Sequence, residues 1–491
     1  MNKTNYETFS QCLSRIIAKR NLSSAQLSQM LHHKSKTTLF RVFQNQAGSD
    51  SLTRIYNELL KCDELHLNEH ECQELSTSLT ISQNGVHTYR TQSAMWNLLR
   101  QTRYISRTTH LELYSNSMTT VELPTFFAQL SQAQGVEIIL INCCWDAVIH
   151  QLIRLLDTAK AKITIQHYMK INSDTAHTIN VIHNILPLIG YTNYMGYSIY
   201  ETSAFENTDT MNVNAIIVRT NNSPEEHQIL MHDENCGAVY TACGIFDYWR
   251  SFINKYADIA LPIKSVYPVG ASASDYVRFT EGYYKLELNH NIYMYKPDLC
   301  INYVNADIAK AAFDDGVKIN NINLPDIDKV IDELVGIQRK RFNNIFHQKR
   351  VTHCIYSANA MKTFARTGIH SDHFFAMRPF TVTERIEILS HMVNQMERNP
   401  YFNIHLLKAE DTYKMIEATC FEGIGIRFTS PKTNYNLSTG HTEAIITQKE
   451  FMDSFVDFYI DVLLKKHTQP TKNTIAFFNA LISELAGDII N

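Results

Sequence analysis

Phe9, Leu13, Ile16 and Ile17 recur three and four residues apart, which predicts an amphipathic helix over residues 6–20. Asn21-Leu22 interrupts it. Ser23 and Gln26 then have the spacing of a capping box, and Leu27, Met30 and Leu31 give a short second helix its buried face, ending near His32-His33. Ser35-Lys36-Thr37-Thr38 can cap a third helix with Leu39, Val42 and Phe43 inward and Thr38, Arg41 and Asn45 outward. Gly48-Ser49 stops that helix, and Leu52, Ile55, Tyr56, Leu59 and Leu60 mark a fourth. Residues 63–100 are polar and read as a helix plus connector.

Past residue 101 the periodicity changes. Leu111 to Tyr114, Val136 to Ile141 and Ile163 to Tyr168 read as strands, separated by helical patterns over Thr125 to Ala133 and through Val148, Leu152 and Leu155. Strands alternating with helices predict an α/β body with some parallel pairing. A weak repeat runs through it. Ile216 to Arg219, the short strand Ala238-Val239-Tyr240 and the aromatic helix from Phe246 follow the same order as Ile424 to Arg427, Ala444-Ile445-Ile446 and the helix from Phe451. The expected fold class is therefore a multidomain α+β or α/β chain, an all-α head ahead of a large α/β body built from two duplicated halves. Boundaries are expected at 1–62 for the head, 63–100 for a helical linker, 101–275 for the first half, 276–375 for a connecting tyrosine-rich and helical segment, and 376–491 for the second half. The tyrosines Tyr267, Tyr276, Tyr283, Tyr284, Tyr293 and Tyr295 suit either cross-strand pairs in a hairpin or the lining of a pocket.

Composition narrows the class. With 491 residues, 44% apolar, and only 16 glycines and 11 prolines, the chain can bury several cores and is not a disordered or collagen-like protein. No apolar run approaches the roughly 18 residues that span a bilayer, and the N-terminus lacks a signal-peptide pattern, so a cytoplasmic location without a membrane partner is expected. Ten cysteines without a CxxC pair point to reduced thiols, with Cys143-Cys144 packing as small apolar groups.

Charge is unevenly distributed. Nine Lys and Arg face three carboxylates in the first 61 residues, a net of +6, so the remainder carries −10 to reach the overall −4. A basic head on an acidic body suits one end meeting a polyanion.

The segment AKRNLSSAQLSQMLHHKSKTTLFRVFQ resembles the Cro/repressor-type (XRE-like) helix-turn-helix family, over residues 6–62. The resemblance implies a recognition helix at Ser35 to Gln44, with Lys36, Thr37, Thr38 and Arg41 in or beside the major groove and Ser23, Gln26 and Lys34 on phosphates. Met30 to His33 departs from the small residue and glycine usual there. By that likeness the chain is a sequence-specific transcriptional regulator that binds double-stranded DNA as a homodimer and carries no enzymatic activity. Its large body would take up a small-molecule or peptide effector.

In EEHQILMHDENCGAVYTACGIF, His227 and Glu234 resemble the HxK(x)4D half-motif of the phospholipase D superfamily, which attacks phosphodiesters through a histidine. Ile229 stands where the lysine should be, and no His-x-Lys lies near Arg427, so the resemblance implies a degenerate fold of that type. Two alternatives stand beside the regulator: a nucleic-acid-processing, phosphodiesterase-like enzyme targeted by the head, and a protein-interaction scaffold that never meets DNA. His353-Cys354 and His370-Ser371-Asp372-His373 read as loop and surface histidines, so no metal is expected. Nucleotide, hydrolase and kinase signatures are absent from the sequence, and no cofactor is expected.

Overall fold

The computed structural model describes residues 6–31, 36–100, 110–113, 119–159, 162–171, 174–189, 191, 193–200, 213–221, 223, 225–233, 236–267, 273–296, 299, 303–321, 326–347, 349–369, 377–408, 417–429 and 441–490. It divides into two compact units, Met1–Ala94 and Met95–Asn491.

The first unit is helical: α1 (Phe9–Lys19), α2 (Ser24–Met30), α3 (Lys36–Phe43), α4 (Ser49–Leu60), α5 (Glu69–Asn84) and α6 (Val86–Arg100), the last crossing the boundary. The spacing of apolar residues explains the first five. Phe9, Leu13, Ile16 and Ile17 of α1 are buried with Leu27, Leu39, Val42, Leu52, Ile55 and Leu59 in one core. The Ser23–Gln26 capping box forms as the spacing predicts, and Thr8–Gln11 and Asn68–Glu71 close the starts of α1 and α5 in the same way. One boundary differs from expectation. Leu75 and Leu79 place α5 in the head's core, so much of the supposed linker over 63–100 belongs to the head.

The second unit contains two mixed sheets. The first takes β1 (His110–Leu113), β2 (Thr119–Glu122), β3 (Gly135–Ile141), β4 (Lys162–Ile171), β5 (Tyr194–Tyr200), β6 (Ala215–Thr220), β7 (Glu226–Met231), β8 (Cys236–Ala242) and β9 (Leu261–Pro262). Helices α7 (Leu123–Leu130), α8 (Asp146–Thr158), α9 (Thr175–Ile189) and α10 (Ile245–Asn254) connect and cover them. The second sheet takes β10 (Lys264–Tyr267), β11 (Ile292–Tyr295), β12 (Thr352–Tyr356), β13 (Phe402–Leu406), β14 (Glu417–Phe421), β15 (Gly425–Thr429) and β16 (His441–Ile446). Its helices are α11 (Ala273–Glu287), α12 (Ala306–Ile319), α13 (Ile327–His347), α14 (Ala358–Thr367), α15 (Val382–Arg398), α16 (Lys449–Asp457), a π-helical stretch Phe458–His467, and α17 (Thr471–Ile490). An α+β multidomain chain is thus observed.

The sheets share one strand order. The first runs β2-β1-β8-β7-β6-β3-β4-β5-β9 and the second β10-β16-β15-β14-β11-β12-β13. In each, an antiparallel meander (β6-β7-β8 or β14-β15-β16) adds antiparallel to a parallel trio (β3-β4-β5 or β11-β12-β13), and an amphipathic helix follows the meander. The parallel trios are joined through helices, as parallel strands require.

This duplication corrects the sequence repeat by one strand. Ala238-Val239-Tyr240 and Ala444-Ile445-Ile446 do correspond, as β8 and β16, but Ile216 to Arg219 is β6 whereas Ile424 to Arg427 runs into β15. The counterpart of β6 is β14. The segment 276–375 likewise holds β11 and β12, interior strands of the second sheet, so it does not merely connect two halves. Tyr293 and Tyr295 lie on β11, beside β12 and β14, while Tyr283 and Tyr284 are on α11.

The halves meet at residue 263. Ile263 donates its N–H to Gly196 O on β5 (2.9 Å) and accepts from Ile445 N on β16 (2.8 Å), so the short segment after β9 is hydrogen-bonded into both sheets.

Candidate functional site

The duplicated register locates the counterpart of His227. His227 on β7 pairs with Thr241, four residues ahead of α10, and Arg427 on β15 pairs with Ile445, four residues ahead of α16. Both positions face the helix that precedes the first inner strand of their own half. His227 lies edge-on to Phe126 of α7 (ring centroids 5.6 Å) and shares a 3.0 Å hydrogen bond with Thr241 Oγ1. Arg427 lies 4.1 Å from the Tyr283 ring of α11. A half-buried histidine whose proton affinity is lowered by burial therefore corresponds to an arginine under a tyrosine. The two are not a matched pair of nucleophiles. Ile229, at the lysine position of the half-motif, is wholly buried, and Glu234 lies outside the described residues.

The same face carries a neutral polar array. His167 of β4 is fully buried, with Nδ1 3.0 Å from Tyr194 Oη and Nε2 3.6 Å from Cys144 Sγ. Gly196 pairs with His167 across the ladder, and a Cβ there would stand 3.2 Å from Tyr194 Oη, so glycine leaves room for the phenol. The loop after β3 is pinned by Asn142, in the left-handed region (φ 51°), whose side chain accepts from Lys170 N and donates to Val213 O. Asn184 of α9 donates to Cys144 O at 2.7 Å. Burial pushes His167 down to about 3 and the Cys144 thiol up, so at neutral pH the array is thiol and imidazole and not thiolate and imidazolium. Cys143 is buried, as a small apolar residue would be.

An open cavity of about 460 Å³ lies at the seam of the two halves. Ile171 and Ser198 reach it from the carboxyl ends of β4 and β5, where ligands of α/β sheets commonly sit. Leu261, Pro262 and Ile263 form the linking wall, and Ile445, Ile446, Thr447, Gln448 and Glu450 line it from β16 and the start of α16. Among these residues Glu450 is the charged one, and neither lysine nor arginine contributes. The volume falls within the range of small-molecule sites, and the described walls are mainly aliphatic with a few polar groups. None of this was visible in the sequence, since the lining comes from segments up to 279 positions apart and contains no motif.

The head residues singled out earlier are found as follows. Ser23 and Gln26 are exposed and engaged with each other in the capping box. Lys34 and Ser35 lie outside the described residues. Lys36 and Thr37 open α3, Thr38 is half-buried, and Arg41 and Gln44 are exposed next to Phe40, itself 61% exposed. The charge behind the DNA expectation does not survive the fold. The unit runs to Ala94, and Asp63, Glu64, Glu69, Glu71 and Glu74 with Arg90 bring its net charge from +6 to +2. Arg15 is paired with Glu7 and Glu74 at 2.9 and 3.0 Å, and Arg20 with Glu71 at 2.6 Å, which holds Glu71 down to about 2.

His353, grouped in the sequence with His370 to His373, instead meets His405. Residues 370–373 lie outside the described set. His353 Nδ1 is 3.0 Å from His405 Nε2, and burial pushes the pair down to about 4 and about 3. Among the described residues no group of three or more potential metal ligands gathers, and no helix is long and apolar enough to cross a membrane.

No family model and no curated protein matches the chain. Among solved structures, the chain is similar to phosphatidylserine synthase of Haemophilus influenzae Rd KW20, at 10% identity and a TM-score of 0.23, over 82% of this chain and 99% of that one. At that score the likeness assigns neither activity nor substrate to this chain. The head's charge of +2 removes the basic footing of the expected non-enzymatic, DNA-binding transcriptional regulator, and no comparison supports that expectation, which is corrected accordingly.

Proposed function

We propose that the body is a small-molecule-binding unit whose site is the cavity at the seam of its two halves, and that the molecule it takes is mainly apolar and uncharged or cationic. The observation that carries this reading is the described lining: six aliphatic residues or proline, the polar Ser198, Thr447 and Gln448, and the carboxylate Glu450. A phosphodiester or other anion would enter beside a carboxylate with no lysine or arginine among the described lining residues to balance it, which disfavours it by simple electrostatics. The position supports the reading as well. Ile263 ties both sheets together at the cavity, so a ligand there touches both halves at once.

The two-half layout suits a degenerate phospholipase D-like body, and the duplicated strand order supports that finer resemblance. The substitution of Arg427 at the position matching His227 speaks against a histidine pair as the chemical centre.

Titration with N-phenyl-1-naphthylamine, a neutral apolar fluorophore, tests the reading. A single saturable site that bis(p-nitrophenyl) phosphate does not displace is the expected result. Absence of saturable binding, or displacement by the phosphodiester at similar concentration, would refute it.

A further inference from the structure

We propose that His353 and His405 form a two-imidazole site for a borderline transition cation such as Zn2+ or Cu2+, separate from the seam cavity. The strands make the arrangement. β12 and β13 run parallel, with His353 opposite Asn403 and Ile355 opposite His405, so the two histidines are diagonal neighbours on one face of the sheet. Their rings are tilted by 31° with centroids 5.3 Å apart, and the facing nitrogens are 3.0 Å apart.

That separation is close to what a shared cation needs. Two imidazole nitrogens at about 2.0–2.1 Å from a tetrahedral ion stand about 3.3 Å apart, so chelation needs an opening of a few tenths of an ångström and a turn of both rings that brings their lone pairs onto the ion instead of along the line between the nitrogens. The His353 ring and its strand have neighbours that hold them. Tyr293 of β11 lies nearly parallel to the His353 ring (14°, 6.0 Å), and the Tyr459 hydroxyl of the π-helical stretch stands 3.2 Å from His353 O and 2.7 Å from Met294 O. Both histidines are half-buried. Two imidazoles leave the remaining coordination positions to water or to a donor atom of a bound molecule.

The facing pair is specific to the second half. In the aligned register the positions of His353 and His405 are Thr164 and Met195 in the first half, which can offer no such pair of donors.

Cu2+ titration of the full chain followed by electron paramagnetic resonance, with Zn2+ titration by calorimetry, tests the site. Wild type is expected to bind one equivalent of Cu2+ with hyperfine coupling from two nitrogens. His405→Gln and His353→Gln are each expected to weaken Zn2+ binding by about tenfold or more, while His290→Gln leaves it unchanged. A wild-type spectrum without two-nitrogen coupling, or equal Zn2+ affinity in all three variants, would overturn the proposal. The wild-type spectrum decides even if a variant fails to fold.

Discussion

The two halves of the body share a strand order and differ in how they handle polar groups in their interiors. In the first half the buried polar array is neutral: His167, Tyr194 and Cys144 satisfy one another without a formal charge. Its ion pairs, Arg219 and Arg250 with Glu137, stay partly exposed around the Phe246 ring. In the second half, among the described residues, ion pairs go inside, whereas the buried carboxylate Glu226 of the first half accepts from a backbone N–H. Arg341 and Glu287 pair at 2.5 Å with side chains 10% and 3% exposed, and Lys296 meets Glu417 at 2.6 Å. One topology thus tolerates either solution, because what the backbone fixes is the ladder and the covering helices, while the chemistry at each rung is chosen by side chains alone. Function cannot be inferred from the shared frame.

The sharpest way to break this contrast is to remove one buried charge. Arg341→Ala leaves Glu287 without its main partner in the core and should cost about 3–5 kcal/mol in urea unfolding, whereas Arg219→Ala in the first half should cost about 0–1 kcal/mol. Equal losses would dissolve the distinction.

Acid is the next largest lever. His167, His353 and His405 have folded-state values of about 3, 4 and 3, all below the ordinary 6.5. The unfolded chain therefore takes up protons first. Stability from these groups is fully present above about pH 6.5, is lost as pH falls toward 4, and levels off near 3. Two of the three sit on β12 and β13, so hydrogen exchange corrected for intrinsic rates should show those strands losing protection at pH 5 ahead of the first sheet's β3. Simultaneous loss across both sheets would count against the assignment.

Smaller effects refine the neutral array and the repeat. Tyr194→Phe removes one hydrogen bond to His167 and should cost about 1 kcal/mol by thermal denaturation. His227→Ala should leave any phosphodiester hydrolysis by the purified chain at its wild-type level, since its counterpart is Arg427. A loss of turnover in that variant would restore the histidine as a chemical group.

What the sequence disclosed follows from how local each signal is. The helices of the head were legible because Phe9, Leu13, Ile16 and Ile17, or Leu52, Ile55 and Leu59, repeat within a few residues, and the Ser23–Gln26 cap is three residues long. β3 stood out as a mainly apolar run and β4 by its alternation from Ile163. β11 and β12 did not, being four and five residues each and rich in Tyr, His and Cys, without alternation to mark them. The repeat was misaligned because Arg219 and Arg427 look alike in sequence while lying on non-equivalent strands. The basic charge of the head was real over 61 residues and misleading, since α5 brings its carboxylates into the same unit. Neither the seam cavity nor the His353–His405 pair could be read, because both are made by residues that only the sheets bring together.

The central claim is that the seam cavity receives a mainly apolar ligand. Leu261 is 57% exposed at its wall, so a larger ring there fills the site with little strain on the core. Binding of N-phenyl-1-naphthylamine to Leu261→Trp should fall by about tenfold or more, while Leu60→Trp in the head leaves it unchanged. Undiminished binding in Leu261→Trp, with the protein folded, would contradict the account.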